Sequence, residues 1–235
     1  MIDSSVRLNT GHLQIVAPGY HERPEMRRVI DDPDTVMKVV SNLDTIEEIS
    51  PRSVSFVLAS GDKRSRGVMV TGVVPAREYR MSSVPNQIIE GRYLNAQDRA
   101  AGVIGTLAAQ NLQIGIGDEC VILGSGRDGS IAAAVVEIIG IYKSGIDEFD
   151  GSTMQIPLQE FDTIFSMEGS VHRLILTLEN LSDSQPAAAE LRGDLSTKAL
   201  QVMTWEELTP GLKQSIELDL ISGIIMYFIL VVVVA

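Results

Sequence analysis

Cysteine is almost absent. Cys120 stands alone in 235 residues, so no intrachain disulfide can form and the fold must rest on its apolar core. It lies in the run Cys120-Val121-Ile122-Leu123, where a thiol behaves as a small buried hydrophobe. Histidine is scarce too: His12, His21 and His172 fall at no ligand spacing, and none accompanies a serine or cysteine in a nucleophile motif. Basic residues are outnumbered, 19 against 31 acidic, for a formal charge of −12. Neutralising a phosphate backbone needs clustered Lys and Arg. The densest cluster, Lys63, Arg64 and Arg66, reads as the solvated tip of a hairpin, so nucleic acid is excluded as a partner. No signal peptide is expected either, because the residues from Met1 form a polar stretch with no basic n-region and no apolar h-region.

Two glycine-bounded motifs invite a chemical reading and fail it. Gly124-Ser125-Gly126-Arg127-Asp128-Gly129 lacks the Lys-Ser/Thr ending of a nucleotide loop and separates two β-rich runs, so a hairpin turn accounts for it. Asp147, Glu148 and Asp150, between Gly145 and Gly151, lack the EF-hand spacing and read as a solvated loop. No carboxylate pair sits in a recognisable glycosidase or protease motif. The expectation is no catalytic, cofactor-binding or metal site, no cofactor, and no enzyme.

What is present is apolar. Hydrophobic residues make up 45% of the chain, enough to bury the core of one large domain or two small ones. Residues 220–235 carry no charge. Sixteen residues at a rise of about 1.5 Å cover about 24 Å, too long for an ordinary strand and short of a hydrocarbon core of about 30 Å, which predicts a truncated transmembrane helix. Its flank holds Glu206, Glu207, Glu217 and Asp219 against Lys213 alone, and cytoplasmic flanks are enriched in Lys and Arg. The preceding body is therefore expected outside the cell membrane, exported by a further span upstream of Met1.

Periodicity supplies the elements. Gly11 to Ala17 predicts a half-buried strand, with Leu13 and Ile15 alternating against His12 and Gln14. Asp32-Pro33-Asp34 announces a helix of about three turns with Val36, Val40 and Leu43 on one face. A strand follows at 52–60, in which Val54, Phe56 and Leu58 point one way, and the chain returns through 67–73 as a hairpin. A glycine-rich stretch from Pro75 to Ser170 then holds a strand feeding a helix at 103–112, β-rich runs at 119–123 and 131–142, and an amphipathic helix over 158–165. Afterwards 172–178 resumes a strand, Pro186 starts a helix with Ala188, Leu191, Leu195 and Ala199 on one face, and 200–203 is extended. The expected class is α+β: a split βαβ layer formed by 1–74 and 171–204, and a small α/β insert at 75–170. Thr204 and Glu207 have the spacing of a capping box, which starts a stalk helix over 205–219 that leads into the membrane run at 220–235.

Gly11-His12-Leu13-Gln14-Ile15 with Pro18-Gly19-Tyr20, Val70 to Pro75 with Gly91-Arg92-Tyr93-Leu94, the Ile104 to Asp118 segment, and Thr204-Trp205-Glu206-Glu207-Leu208-Thr209-Pro210 occur in an informative order. With this order the chain resembles ABC-transporter permeases of the macrolide-exporter and lipoprotein-release type, the MacB/LolC/LolE (FtsX-like) family. The resemblance implies a porter-like periplasmic subdomain, an inserted Sabre-like subdomain, and a dimeric four-span permease in the bacterial inner membrane, as a homo- or heterodimer with a second permease subunit. It implies a separate cytoplasmic ATPase subunit as partner, contact with the lipid bilayer, and a lipoprotein or periplasmic adaptor as a further partner. Function would be export or extraction of a lipoprotein or amphiphilic substrate by mechanotransmission. A second reading, shared by permease-like proteins that transport nothing, is an FtsX-like regulator of peptidoglycan hydrolases. The short Gly124 to Gly129 turn departs from the longer hairpin with which the carrier-recruiting subunit of lipoprotein release docks its partner.

Overall fold

In a computed structural model, Val6, residues 10–195 and residues 198–211 are described. The elements are β1 (Leu13–Val16), α1 (Pro33–Val40), β2 (Ile46–Ser60), β3 (Ser65–Val73), α2 (Pro75–Met81), β4 (Ile88–Gly91), β5 (Ala101–Gly105), α3 (Thr106–Leu112), β6 (Glu119–Ser125), β7 (Ile131–Tyr142), α4 (Asp147–Ser152), β8 (Thr153–Pro157), α5 (Leu158–Phe165), β9 (Arg173–Leu178), α6 (Ser184–Asp194), β10 (Gln201–Thr204) and α7 (Trp205–Leu208). The class is α+β, as the order of elements in the sequence implied.

The first part is an antiparallel layer in the order β10, β1, β9 and the first half of β2. One face is covered by α1 and α6, through Leu13, Ile15, Val36, Val40, Leu174 and Leu191. Helix α1 begins where Asp32 accepts a hydrogen bond from the Thr35 amide at 3.0 Å and Pro33 presets the first helical turn. Helix α6 is shorter than its apolar spacing suggests. It ends at Asp194, after the poor helix former Gly193, and Ala199 lies beyond it with φ +47° instead of continuing its buried face. Strand β1 is buried on both faces, not half-buried as its alternation predicts. The reason is a second small cluster, Val16 with Tyr20 and Met203, that covers the face opposite the helices.

Strand β2 joins the two parts. Ile46 to Arg52 pair with β9, and Ser53 to Ser60 pair with β3. The hydrogen-bonding boundary therefore falls between Arg52 and Ser53, ahead of the residue 74 boundary read from the sequence. The β2–β3 hairpin belongs to the second part. The strand runs on through Arg52 without a break, and 49–53 are all buried, so neither continuity nor burial marks where it changes partners.

The second part is a closed barrel. β2 pairs with β3, β3 with β8, β8 with β5, β5 with β7, β7 with β6, and β6 returns to β2 through Leu58 opposite Leu123. Side chains fill so small a barrel. Val57, Ala59, Val68, Cys120, Ile122 and Ile156 lie inside, with α3 and α5 closing the core through Leu112, Phe161 and Phe165. Val54, Phe56 and Leu58 do share a face, and it is the outer one. Gly105, at the β5–α3 corner, admits the backbone of α4 so closely that a Cβ there would overlap Asp150.

Helix α7 starts with the expected capping box: the Glu207 amide donates to Thr204 Oγ1 at 3.4 Å, and the Thr204 amide to Glu207 Oε2 at 2.8 Å. It does not run on as one stalk. Thr209 leaves the helical region, with φ −130° and ψ 64°, because the ring of Pro210 disfavours helical geometry in the residue before it. The rest of the expected stalk, 212–219, and the apolar run 220–235 lie outside the described residues. Among the described residues no helix is long and apolar enough to cross a membrane.

Candidate functional site

The chemistry-bearing side chains gather where the layer meets the barrel. Arg52 is the last β2 residue on the β9 ladder, and α2 lays Glu78 over it. Arg52 Nε donates to Glu78 Oε1 at 2.9 Å and a terminal nitrogen to Oε2 at 2.7 Å, with both side chains almost fully buried. This fork matches guanidinium to carboxylate in plane, and Ser50 Oγ donates to the same carboxylate at 3.5 Å. The pair fixes α2 to the hinge residue of β2.

His172, just before β9, is a second fastening. Its Nδ1 accepts from the Val54 amide at 3.0 Å, and its Nε2 lies 3.3 Å from the Met26 carbonyl. These partners assign the neutral tautomer with the proton on Nε2. The ring stacks on Tyr20 at 5.4 Å and meets the edge of Phe161 at 6.3 Å. Burial moves the imidazole down to about 4, so it is uncharged at neutral pH. One ring thereby ties the 18–26 segment, β2, α5 and β9 together.

Arg127 is the third. It sits in the β6–β7 turn, which confirms the hairpin reading of Gly124 to Gly129. Its guanidinium donates to the Met167 carbonyl at 3.0 Å, Ser170 Oγ at 2.9 Å and Asp31 Oδ1 at 2.7 Å. The barrel turn is thus clamped to the layer's connecting segments. Within the barrel, Tyr93 donates to Gln155 at 2.7 Å, and burial raises its phenol well above the usual range.

Other residues singled out by sequence have structural places. His12 is buried and accepts from the Leu178 amide at 2.9 Å, whereas His21 is exposed. Cys120 is a free thiol inside the barrel, and desolvation pushes its pKa up. Lys63, Arg64 and Arg66 are exposed at the β2–β3 hairpin. The acidic stretch is not wholly solvated: Asp150 is buried, and its carboxylate accepts from the amides of Ser144 at 2.8 Å and Gly145 at 3.3 Å. That use of its lone pairs explains how an aspartate is tolerated inside. Among the described residues no group of His, Cys, Asp and Glu could hold a metal ion. Sequence reasoning missed Arg52, Glu78 and His172 as a set, because each looks unremarkable in its own element. The one signal was a charged residue, Arg52, inside an apolar strand.

Three polar fastenings thus hold two parts on either side of one shared strand. The fold is similar to that of several solved structures, among them these two. One is the extracellular domain of the noncanonic ABC-type transporter YknZ from Gram-positive bacteria, with a TM-score of 0.58 and 17% identity over 83% of this chain and 100% of that one. The other is the periplasmic region of MacB from Actinobacillus actinomycetemcomitans, with a TM-score of 0.60 and 12% identity over 90% of this chain and 94% of that one. At these identities the likeness is one of fold. No protein-family model matches the sequence, and no curated protein does.

Proposed function

We propose that this chain is the extracytoplasmic domain of an ABC-transporter permease, held at the bacterial inner membrane with its folded body outside. The observation that carries the reading is the shared fold, which extends over 83% and 90% of this chain and almost the whole of both neighbours. The charge-free run at 220–235 and its acidic flank support the same placement. The chain's work is then conformational coupling and not catalysis. A cytoplasmic ATPase subunit, acting on a dimer of permease subunits, moves the segment after Thr204, and the outer domains rearrange to drive out a lipoprotein or amphiphilic cargo, alone or through a periplasmic adaptor.

A cysteine placed at the hairpin tip tests the sidedness. Lys63 is exposed and the native Cys120 is buried, so Lys63→Cys offers one reactive thiol. In cells with a sealed plasma membrane and a permeable outer envelope, a membrane-impermeant maleimide should label it. Labelling that appears only after the plasma membrane is broken would overturn the proposal.

A further inference from the structure

Arg173 opens β9 opposite Val16 on one side and Arg52 on the other, so these three side chains share the sheet face turned away from α1 and α6. The charge of Arg52 is cancelled by Glu78. That of Arg173 is not. Its Nε is buried without a hydrogen-bond partner, and no ion pair joins its side chain to a described residue. A half-buried cation left uncompensated is costly and is normally paired.

Two adjoining cavities lie at this spot. One, of about 200 Å³, is lined by Val16, Tyr20, Arg173, Met203 and Leu208. The next, of about 330 Å³, reaches Met26, Phe56 and Gly124. Tyr20, Pro24, Val54 and Met69 line both, which makes them one trough between the 18–26 segment and the outer face of the β2–β3 hairpin. Such a volume falls within the roughly 300–1,000 Å³ usual for small-molecule sites. The far end opens at Phe56, which is 72% exposed beside the exposed Leu58 and Leu123. The one acidic side chain lining the trough, Glu25, has Arg28 within 3.5 Å as its own partner. A cationic end and an apolar course are thus built into a single groove.

We propose that this trough binds a long-chain carboxylate, with its head on the Arg173 guanidinium and its alkyl chain laid along Val54 and Met69 toward Phe56. Charge selects the head. One unbalanced positive charge is matched by one carboxylate, whereas a phosphate monoester carries about −1.5 to −2 and would leave an excess. The purpose of such a ligand, a cargo or a cargo's acyl portion, rests on the export reading, but the binding does not.

Isothermal titration of the full chain with laurate, dodecyltrimethylammonium and dodecanol, each below its micelle-forming concentration, tests it. Laurate should bind one to one, and the cation and the alcohol roughly tenfold or more weakly. Arg173→Met should cost laurate roughly tenfold. Phe56→Ala, at an exposed position where folding is not at stake, should weaken laurate and leave octanoate unchanged. Equal affinity for laurate and dodecyltrimethylammonium would overturn the proposal, as would unchanged laurate binding by the Phe56 variant. Because binding is read on the isolated chain and sidedness in cells, the failure of either is seen separately from the other.

Discussion

The backbone amide of Val54 donates to Nδ1 of His172 at 3.0 Å, joining residues 118 apart in sequence. Val54 lies two residues past the point where β2 leaves the layer for the barrel, so this bond sits at the joint itself. Its acceptor is a nitrogen lone pair, and protonation would remove it.

Stability should therefore fall as the solution is acidified. The folded pKa of His172 lies at about 4, below its ordinary 6.5, so the unfolded chain takes up the proton first. The contribution is complete above pH 6.5, declines through the interval down to about 4, and amounts to about 3 kcal/mol in all. Unfolding midpoints measured across that interval should slope less steeply in His172→Gln, whose amide can accept from Val54 without titrating. An unchanged slope would remove His172 from the account.

Glu78→Ala leaves the Arg52 guanidinium buried with its bidentate partner gone. Urea unfolding should show a loss of about 3–5 kcal/mol. The double change Arg52→Met with Glu78→Leu should recover most of it, since two apolar side chains leave no orphaned charge. A double variant no more stable than the single one would mean that the pair does more than cancel its own charges.

Gly105→Ala should destabilise by about 1–3 kcal/mol, because its Cβ meets Asp150 backbone, which cannot rotate away as a side chain could. Thermal unfolding of the variant is the check. Gly115, whose φ is not left-handed and where a Cβ would meet only Asp118 Oδ2 at 3.8 Å, is the control for loss of glycine flexibility alone.

Thr204→Ala removes the acceptor for the Glu207 amide at the start of α7 and should cost about 1 kcal/mol. Glu207 also pairs with Arg192 at 2.9 Å, so Glu207→Ala should cost more than the threonine change. Chemical denaturation of both variants distinguishes the two contributions.

The legible parts of this molecule were local. The α5 bounds, the β6–β7 turn and the Thr204–Glu207 cap follow from spacing within ten or so residues, where periodicity and capping chemistry act directly. Barrel closure was not legible, since Leu58 meets Leu123 only after the intervening strands are placed, and no alternation pattern encodes a partner. The same holds for the site. Arg52, Glu78 and the neighbours His172 and Arg173 lie in three different stretches of chain, and their significance is the packing that brings them together. Asp150 shows the opposite failure, an acidic stretch read as solvated whose last carboxylate turns inward to satisfy two amides.

Purification from membranes is the most direct test of the central claim. The protein, expressed from its own full reading frame with an affinity tag in the exposed 62–64 hairpin tip, should be extracted only by detergent and should co-elute with an ATPase subunit that hydrolyses ATP in the complex. Recovery from the aqueous fraction, or from membranes with no nucleotide-hydrolysing partner, would contradict its assignment as the outer domain of an ABC-transporter permease.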